Sequence, residues 1–195
     1  MRSRLLPLLI FSIAILWSAP SRADVPDPGH SAVDPCLVVC PQGDFAFQVI
    51  VRNIVGIPIP NSQVIVDLCG CTEVHPCPGE PCQITGLTDA SGTVVFHIKA
   101  GGTCSTGAAT VRADGVLLAN RFVASTDQNG DLFVDASDVA IGVGKIGSGD
   151  YTGDLDCDGA VTSADVTIIR EHGGHMCGAV PTLPSSWGRV KAIYR

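Results

Sequence analysis

"DQNGDLFVDASD", residues 127 to 138, and "DLDCDGAVTSAD", residues 154 to 165, align without a gap when Asp127 is set on Asp154. Asp stands at positions one, five and twelve of both, Asn129 or Asp156 at position three, and Val134 or Val161 at position eight. One such run is open to three readings: a solvated acidic loop, a catalytic carboxylate cluster or a cage for a cation. Two copies of one spacing argue against an accidental loop.

The spacing fits calcium. A hard cation takes six to eight oxygens, and a twelve-residue loop offers them at positions one, three, five, seven, nine and twelve, with a backbone carbonyl at seven. In the first copy these are Asp127, Asn129, Asp131, the carbonyl of Phe133, Asp135 and Asp138; in the second, Asp154, Asp156, Asp158, the carbonyl of Ala160, Thr162 and Asp165. Two ions are expected, one per loop. Residues 125 to 165 hold nine Asp against one Lys, and each close carboxylate pair repels by about 4 kcal/mol at an effective dielectric near 20. Val134 and Val161 are expected to point inward and tie the loops together.

An apolar-rich segment follows each loop, "VAIGVGKIG" and "VTIIREHGG", so position twelve should lie near the start of a short helix. Gly142 and Gly144 each cost about 1 kcal/mol relative to Ala, which predicts a short or frayed first helix. A loop followed by one helix, repeated, resembles the type I dockerin family over residues 125–177. The resemblance implies a calcium-dependent pair of loop-helix units and, in cellulosomal systems, docking to a cohesin domain during polysaccharide breakdown. Leu132 stands at position six of the first loop, where Gly eases the turn and where the second loop has Gly159. Ala136-Ser137 and Ser163-Ala164 occupy positions ten and eleven, where dockerins often present a Ser-Thr pair to the partner.

Upstream the apolar period changes to two. Phe45, Phe47, Val49 and Val51 share one face, as do Val64, Val66 and Leu68, and Val94, Phe96 and Ile98; each set predicts a half-buried strand. Turn signals separate them, and Asp114-Gly115 between "AATVRA" and "VLLANRFVA" predicts a type I′ hairpin. Short strands at this spacing suggest an antiparallel β-sandwich over 45–124. The stretches "VIVRNIVGIPIPNSQVIVDL", "GLTDASGTVVFHIKAGG" and "VRADGVLLA" resemble bacterial immunoglobulin-like domains of the invasin type. That family implies display, spacing or adhesion and no shared catalytic site.

Residues 1–23 have the parts of a secretory signal peptide: Arg2 and Arg4, an apolar stretch from Leu5 to Trp17, and small residues up to Ala23. Its loss carries the formal net charge from −7 to −10, since Arg2, Arg4 and Arg22 leave with it. So acidic a chain is a poor match for nucleic acid, and no later stretch is long and apolar enough for a membrane span. A secreted or cell-surface protein is expected, with a linker and N-terminal segment at 24–44. In that setting the nine cysteines read first as disulfides, and the odd number leaves one thiol over. Cys157 and Cys177 are expected to pair, being in the same C-terminal segment. Cys69, Cys71, His75, Cys77 and Cys82 form a crosslinked loop or, alternatively, hold zinc, although their spacings lack the usual paired knuckles.

Catalysis finds little support. Calcium accounts for the well-spaced Asp residues, and Asp67, Glu73 and Glu80 form no evident carboxylate pair. His172 and His175 in "EHGGHMC" are open to reading as a metal pair or as solvated side chains. The tail at 178–195 places Trp187, Val190, Ile193 and Tyr194 on one helical face, as a sorting or docking peptide or as a clasp on the acidic module. The sequence therefore predicts a mainly β protein, an Ig-like sandwich plus a small α-helical calcium module, non-catalytic. Its expected partner is a cohesin-like protein or a second copy of itself, with polysaccharide contact as a further possibility.

Overall fold

The structure is a computed structural model that describes residues 24–178. The signal-peptide reading of residues 1–23 and the tail reading, from residue 179 onward, fall outside the described residues.

Ten strands, two α-helices and a single-turn helix at Tyr151–Gly153 make up the described chain. The strands are β1 (Ala32–Val33), β2 (Leu37–Val39), β3 (Ala46–Ile50), β4 (Gln63–Asp67), β5 (His75–Pro76), β6 (Gln83–Leu87), β7 (Thr93–His97), β8 (Ala100–Gly101), β9 (Cys104–Ala113) and β10 (Val116–Ser125). They form sheets of order β1-β3-β7 and β2-β10-β9-β4-β6, with β5 and β8 as a small third pair. The period-two faces meet between the two larger sheets. Phe47 and Val49 of β3 and Phe96 of β7 pack in one buried cluster with Val64 and Val66 of β4, Val111 of β9 and Val123 of β10. Asp114 and Gly115 join β9 to β10 with φ of 47° and 84°, the two left-handed residues that a type I′ turn needs.

Within residues 24–44, expected as a linker and N-terminal segment, lie β1 and β2. β2 runs parallel to the end of β10, with Leu37 opposite Val123 and Val39 opposite Ser125. All three of its residues are buried. Leu37 and Val39 enter the sandwich core, while Val38 enters a second cluster with Ala124, Val134, Leu155 and Ile169. A strand buried on both faces carries a continuous apolar run rather than an alternation, so "LVV" has no period to read.

Helices α1 (Ala136–Lys145) and α2 (Ser163–Glu171) follow the two acidic loops and pack on each other. Position nine of each loop is the N-cap, Asp135 or Thr162, and position twelve, Asp138 or Asp165, closes a capping box at N3. α1 is not shortened by its glycines: it runs ten residues against nine for α2. Gly142 is buried, and a Cβ there would lie 2.6 Å from Cδ1 of Ile169 on α2. The glycine lets the helices approach.

Four disulfides are present: Cys36–Cys157, Cys69–Cys82, Cys71–Cys104 and Cys77–Cys177. The expected Cys157–Cys177 bond is thus corrected. Each of these cysteines reaches instead into the β-rich part, because the helical segment lies against the sandwich and brings them to Cys36 and Cys77. All four cysteines of the zinc alternative are in disulfides and have no thiolate to offer a metal. Four disulfides fit an oxidising compartment. No helix among the described residues is long and apolar enough to cross a membrane.

Candidate functional site

The two acidic loops repeat in structure as they do in sequence. In the first, Oδ1 of Asp138 accepts from the backbone N–H of Gln128 at 2.7 Å and of Asn129 at 3.2 Å, and its Oδ2 from Asp135 N–H at 2.8 Å. Asp165, at the matching position of the second loop, does the same for Leu155, Asp156 and Thr162 at 2.7, 3.2 and 2.8 Å. Asp131 accepts from Phe133 N–H at 3.0 Å and Asp158 from Ala160 N–H at 2.9 Å. Asp127 Oδ2 accepts from Leu132 N–H at 2.7 Å and Asp154 Oδ2 from Gly159 N–H at 3.0 Å. These bonds fold each loop around its own carboxylates.

The backbone follows the same course. Positions four and six are left-handed in both loops: Gly130 and Leu132 at φ 77° and 70°, Cys157 and Gly159 at 63° and 90°. Each loop has glycine at only one of the two, so Leu132 and Cys157 carry a conformation that costs an L-residue about 1 kcal/mol or more. Val134 and Val161 are both buried. Their backbones tie the repeats by exchange: Gly147 N–H donates to Val161 O at 3.2 Å, and Gly174 N–H to Val134 O at 2.8 Å. Gly147 and Gly174 occupy equivalent places in the two repeats, so each loop is clasped by the residues after the other repeat's helix.

Chemically the loops differ. In the second, oxygens of Asp154, Asp156 and Asp158 all lie within 4.8 Å of one another, and Oδ1 of Asp154 is buried without a hydrogen-bond partner. Burial and the neighbouring charges of Asp165, Asp158 and Asp154 push the Asp156 carboxyl above its usual range. In the first, Asn129 replaces one carboxylate and its Nδ2 donates to Asp131 Oδ2 at 3.1 Å. Asp127 is fully buried, and that burial, with the Asp138 and Asp131 charges, pushes its carboxyl up to about 6 against the opposing hydrogen bonds from Leu132 and Gly130. Among the described residues a three-carboxylate cluster forms only in the second loop, and a buried oxygen without a hydrogen-bond partner stands in each loop, Oε1 of Gln128 in the first and Oδ1 of Asp154 in the second.

The first loop is also built into the β-rich part. Asp127 O accepts from Gly102 N–H at 2.8 Å, and a Cβ on Gly101 of β8 would overlap Asp127 Oδ2 and lie 2.7 Å from its Cγ. A further feature was not visible in the sequence. Phe122 and Tyr151, each about half exposed, stack with ring centroids 6.4 Å apart at 22°, beside a cavity of about 260 Å³ that also touches Pro35, Asp154 and Gly159. The pair joins β10 to the turn between the two repeats, so no local pattern announces it. Neither a protein-family model, nor a curated protein, nor a solved structure matches the chain.

Proposed function

We propose that this is an exported, non-catalytic calcium-binding protein whose paired loop-helix module mediates assembly or attachment outside the cytoplasm. The observation that carries the reading is the duplicated hydrogen-bond network, with oxygen donors at six equivalent positions and an unsatisfied buried oxygen on Asp154. The dockerin and Ig-like resemblances support the division of labour: the sandwich spaces or displays, and the loop-helix module docks. Asp127, Asn129, Asp131, the Phe133 carbonyl, Asp135 and Asp138 would hold one ion. Asp154, Asp156, Asp158, the Ala160 carbonyl, Thr162 and Asp165 would hold the other. The ion's part is charge neutralisation; the chain's part is to hold helices α1 and α2 at a fixed angle for a partner.

Calorimetric titration of the exported chain with calcium tests this directly. Two ions per chain, and retention of a cohesin domain or of a second copy of the chain on an immobilised sample only in calcium, is the expected result. A flat titration would remove the reading at its root. Polysaccharide contact is favoured by the exposed Phe122–Tyr151 pair, since stacked aromatic faces suit sugar rings; retardation on glycan-containing gels, lost in Tyr151→Ala, would separate it from protein docking.

A further inference from the structure

Outside the acidic loops, Cys40, Asp44 and His175 bring three metal-binding atoms within 4.8 Å of one another from two distant parts of the chain, and His172 stands beside them. Cys40 is the one cysteine of nine outside a disulfide, and it is buried at the end of β2. Its Sγ lies 3.4 Å from Asp44 Oδ2 and 3.5 Å from His175 Nδ1, and His175 is 135 residues away in sequence. Asp44 Oδ2 is in turn 2.8 Å from His175 Nδ1 and 3.9 Å from His172 Nε2. We propose that Cys40, Asp44 and His175, with the adjacent His172 drawn in as fourth donor, form a site for a zinc-class divalent ion that clips the sandwich to the end of α2.

The geometry suits that ion. With Zn–S near 2.3 Å and Zn–N or Zn–O near 2.0–2.1 Å, a tetrahedron separates sulfur from nitrogen by about 3.5 Å and nitrogen from oxygen by about 3.3 Å. The Cys40 distances already match, His175 and Asp44 stand somewhat closer than a tetrahedron needs, and His172 Nε2, 3.9 Å from Asp44 Oδ2, has to move inward to become the fourth donor. Orientation is built in as well. His172 Nδ1 lies 2.8 Å from Ile168 O, so that nitrogen carries the proton and Nε2 presents a lone pair toward Asp44, the arrangement in which a metal-ligating imidazole is fixed by a backbone carbonyl. Phe45 stacks on His172 at 4.9 Å, and His172 meets His175 edge-on at 5.0 Å. One thiolate, one carboxylate and two imidazoles form a borderline-soft set that favours zinc over calcium. The side chains of Asp44 and His175 are partly exposed, which leaves the ion a way in.

This assignment does not rest on the calcium reading, and the test keeps the two apart. The exported chain, purified under reducing conditions mild enough to keep the disulfides and saturated with calcium, is titrated with cobalt(II). One cobalt per chain is expected, with the visible bands of tetrahedral coordination and a near-ultraviolet thiolate-to-metal band, both abolished by added zinc. Cys40→Ser should remove the thiolate band while the melting transition persists, and His172→Ala or His175→Ala should weaken binding by about 10-fold or more. A spectrum of six-coordinate cobalt, or a tetrahedral spectrum unchanged in Cys40→Ser, would overturn the site. Should Cys40→Ser fail to fold, the wild-type thiolate band decides alone, because all eight other cysteines are in disulfides.

Discussion

Replacing Gly101 by Ala adds one methyl group at the point where the small β5–β8 pair touches the first acidic loop. Its Cβ would overlap Oδ2 of Asp127 and lie 2.7 Å from Cγ and 3.3 Å from Cβ of the same side chain, where ordinary carbon contacts sit near 3.5 Å or beyond. Rotation of the carboxylate alone does not remove an overlap that includes Cγ, so Asp127 or β8 has to move. Movement of Asp127 breaks the bonds its two oxygens accept from Gly130 and Leu132 N–H, at 2.8 and 2.7 Å. Hydrogen bonds to a charged group contribute roughly 1.5–3 kcal/mol each, so the substitution should cost about 3–6 kcal/mol, at the far end of what single mutations do. Urea unfolding measures the loss, and, on the calcium reading proposed above, calorimetry on the folded fraction should show one ion fewer than in the parent. A Gly101→Ala protein as stable as the parent that still binds two ions would refute the claim that β8 and the first loop are built as one unit.

Gly144→Ala is the matched control: a Cβ there meets nothing within 4 Å, so the helix-propensity gain of about 1 kcal/mol should appear as a higher melting temperature. Chelation should lower the melting temperature, because each ion at a hundredfold excess over its Kd contributes about 2.7 kcal/mol; scanning calorimetry with calcium against chelator checks it, and superimposable traces would count against both loops. In chelator, stability should also fall as pH rises. Asp127 has its folded pKa raised from 3.8 to about 6, so the folded state keeps a proton that the unfolded chain has released; that contribution is complete below about 4 and lost through about 6, at most about 3 kcal/mol. Calcium should oppose the trend by displacing the proton, and a chelated protein that melts higher at pH 7.5 than at pH 4.5 would contradict the assignment.

How far the sequence discloses this structure depends on whether a signal is local. Val64, Val66 and Leu68 alternate, and β4 with its buried face follows from that alone. Asp114-Gly115 sits between two apolar runs, and the β9–β10 hairpin turns there. The match of Asp127–Asp138 with Asp154–Asp165 shows that two acidic loops precede two helices, since capping and turn chemistry are written within a dozen positions. β2 escaped because a strand buried on both sides has no alternation. The disulfides escaped because nearness in sequence says nothing of which surface a cysteine faces: Cys157 looks across at β2, and Cys177 lies beyond α2 beside the first loop, where Cys177 N–H donates to Leu132 O at 3.2 Å. His175 and Cys40 could not be joined on paper for the same reason.

These long-range contacts bear on what the loop-helix pair can do. Val38 and Ala124 of the sandwich share a buried cluster with Val134, Leu155 and Ile169, and Cys36–Cys157 and Cys77–Cys177 fasten the two parts at separate points. A module cut out at residue 125 would expose that cluster and leave two half-cystines without partners, so the boundary in the sequence is not a mechanical hinge. Any partner must therefore approach the faces of α1 and α2 that the sandwich leaves open, where Ile141 and Val143 stand at least a third exposed. If calcium fixes the angle between these helices, force on the partner passes through α1 and α2 into the sheets by way of Ile169, the shared cluster and two covalent bonds. An attachment protein built so would lose its partner on chelation while its β-sheets stayed folded. Circular dichroism and binding measured on one sample across a chelator titration would show the two losses at different chelator concentrations; their coincidence would mean that the loops stabilise the whole chain rather than the docking face.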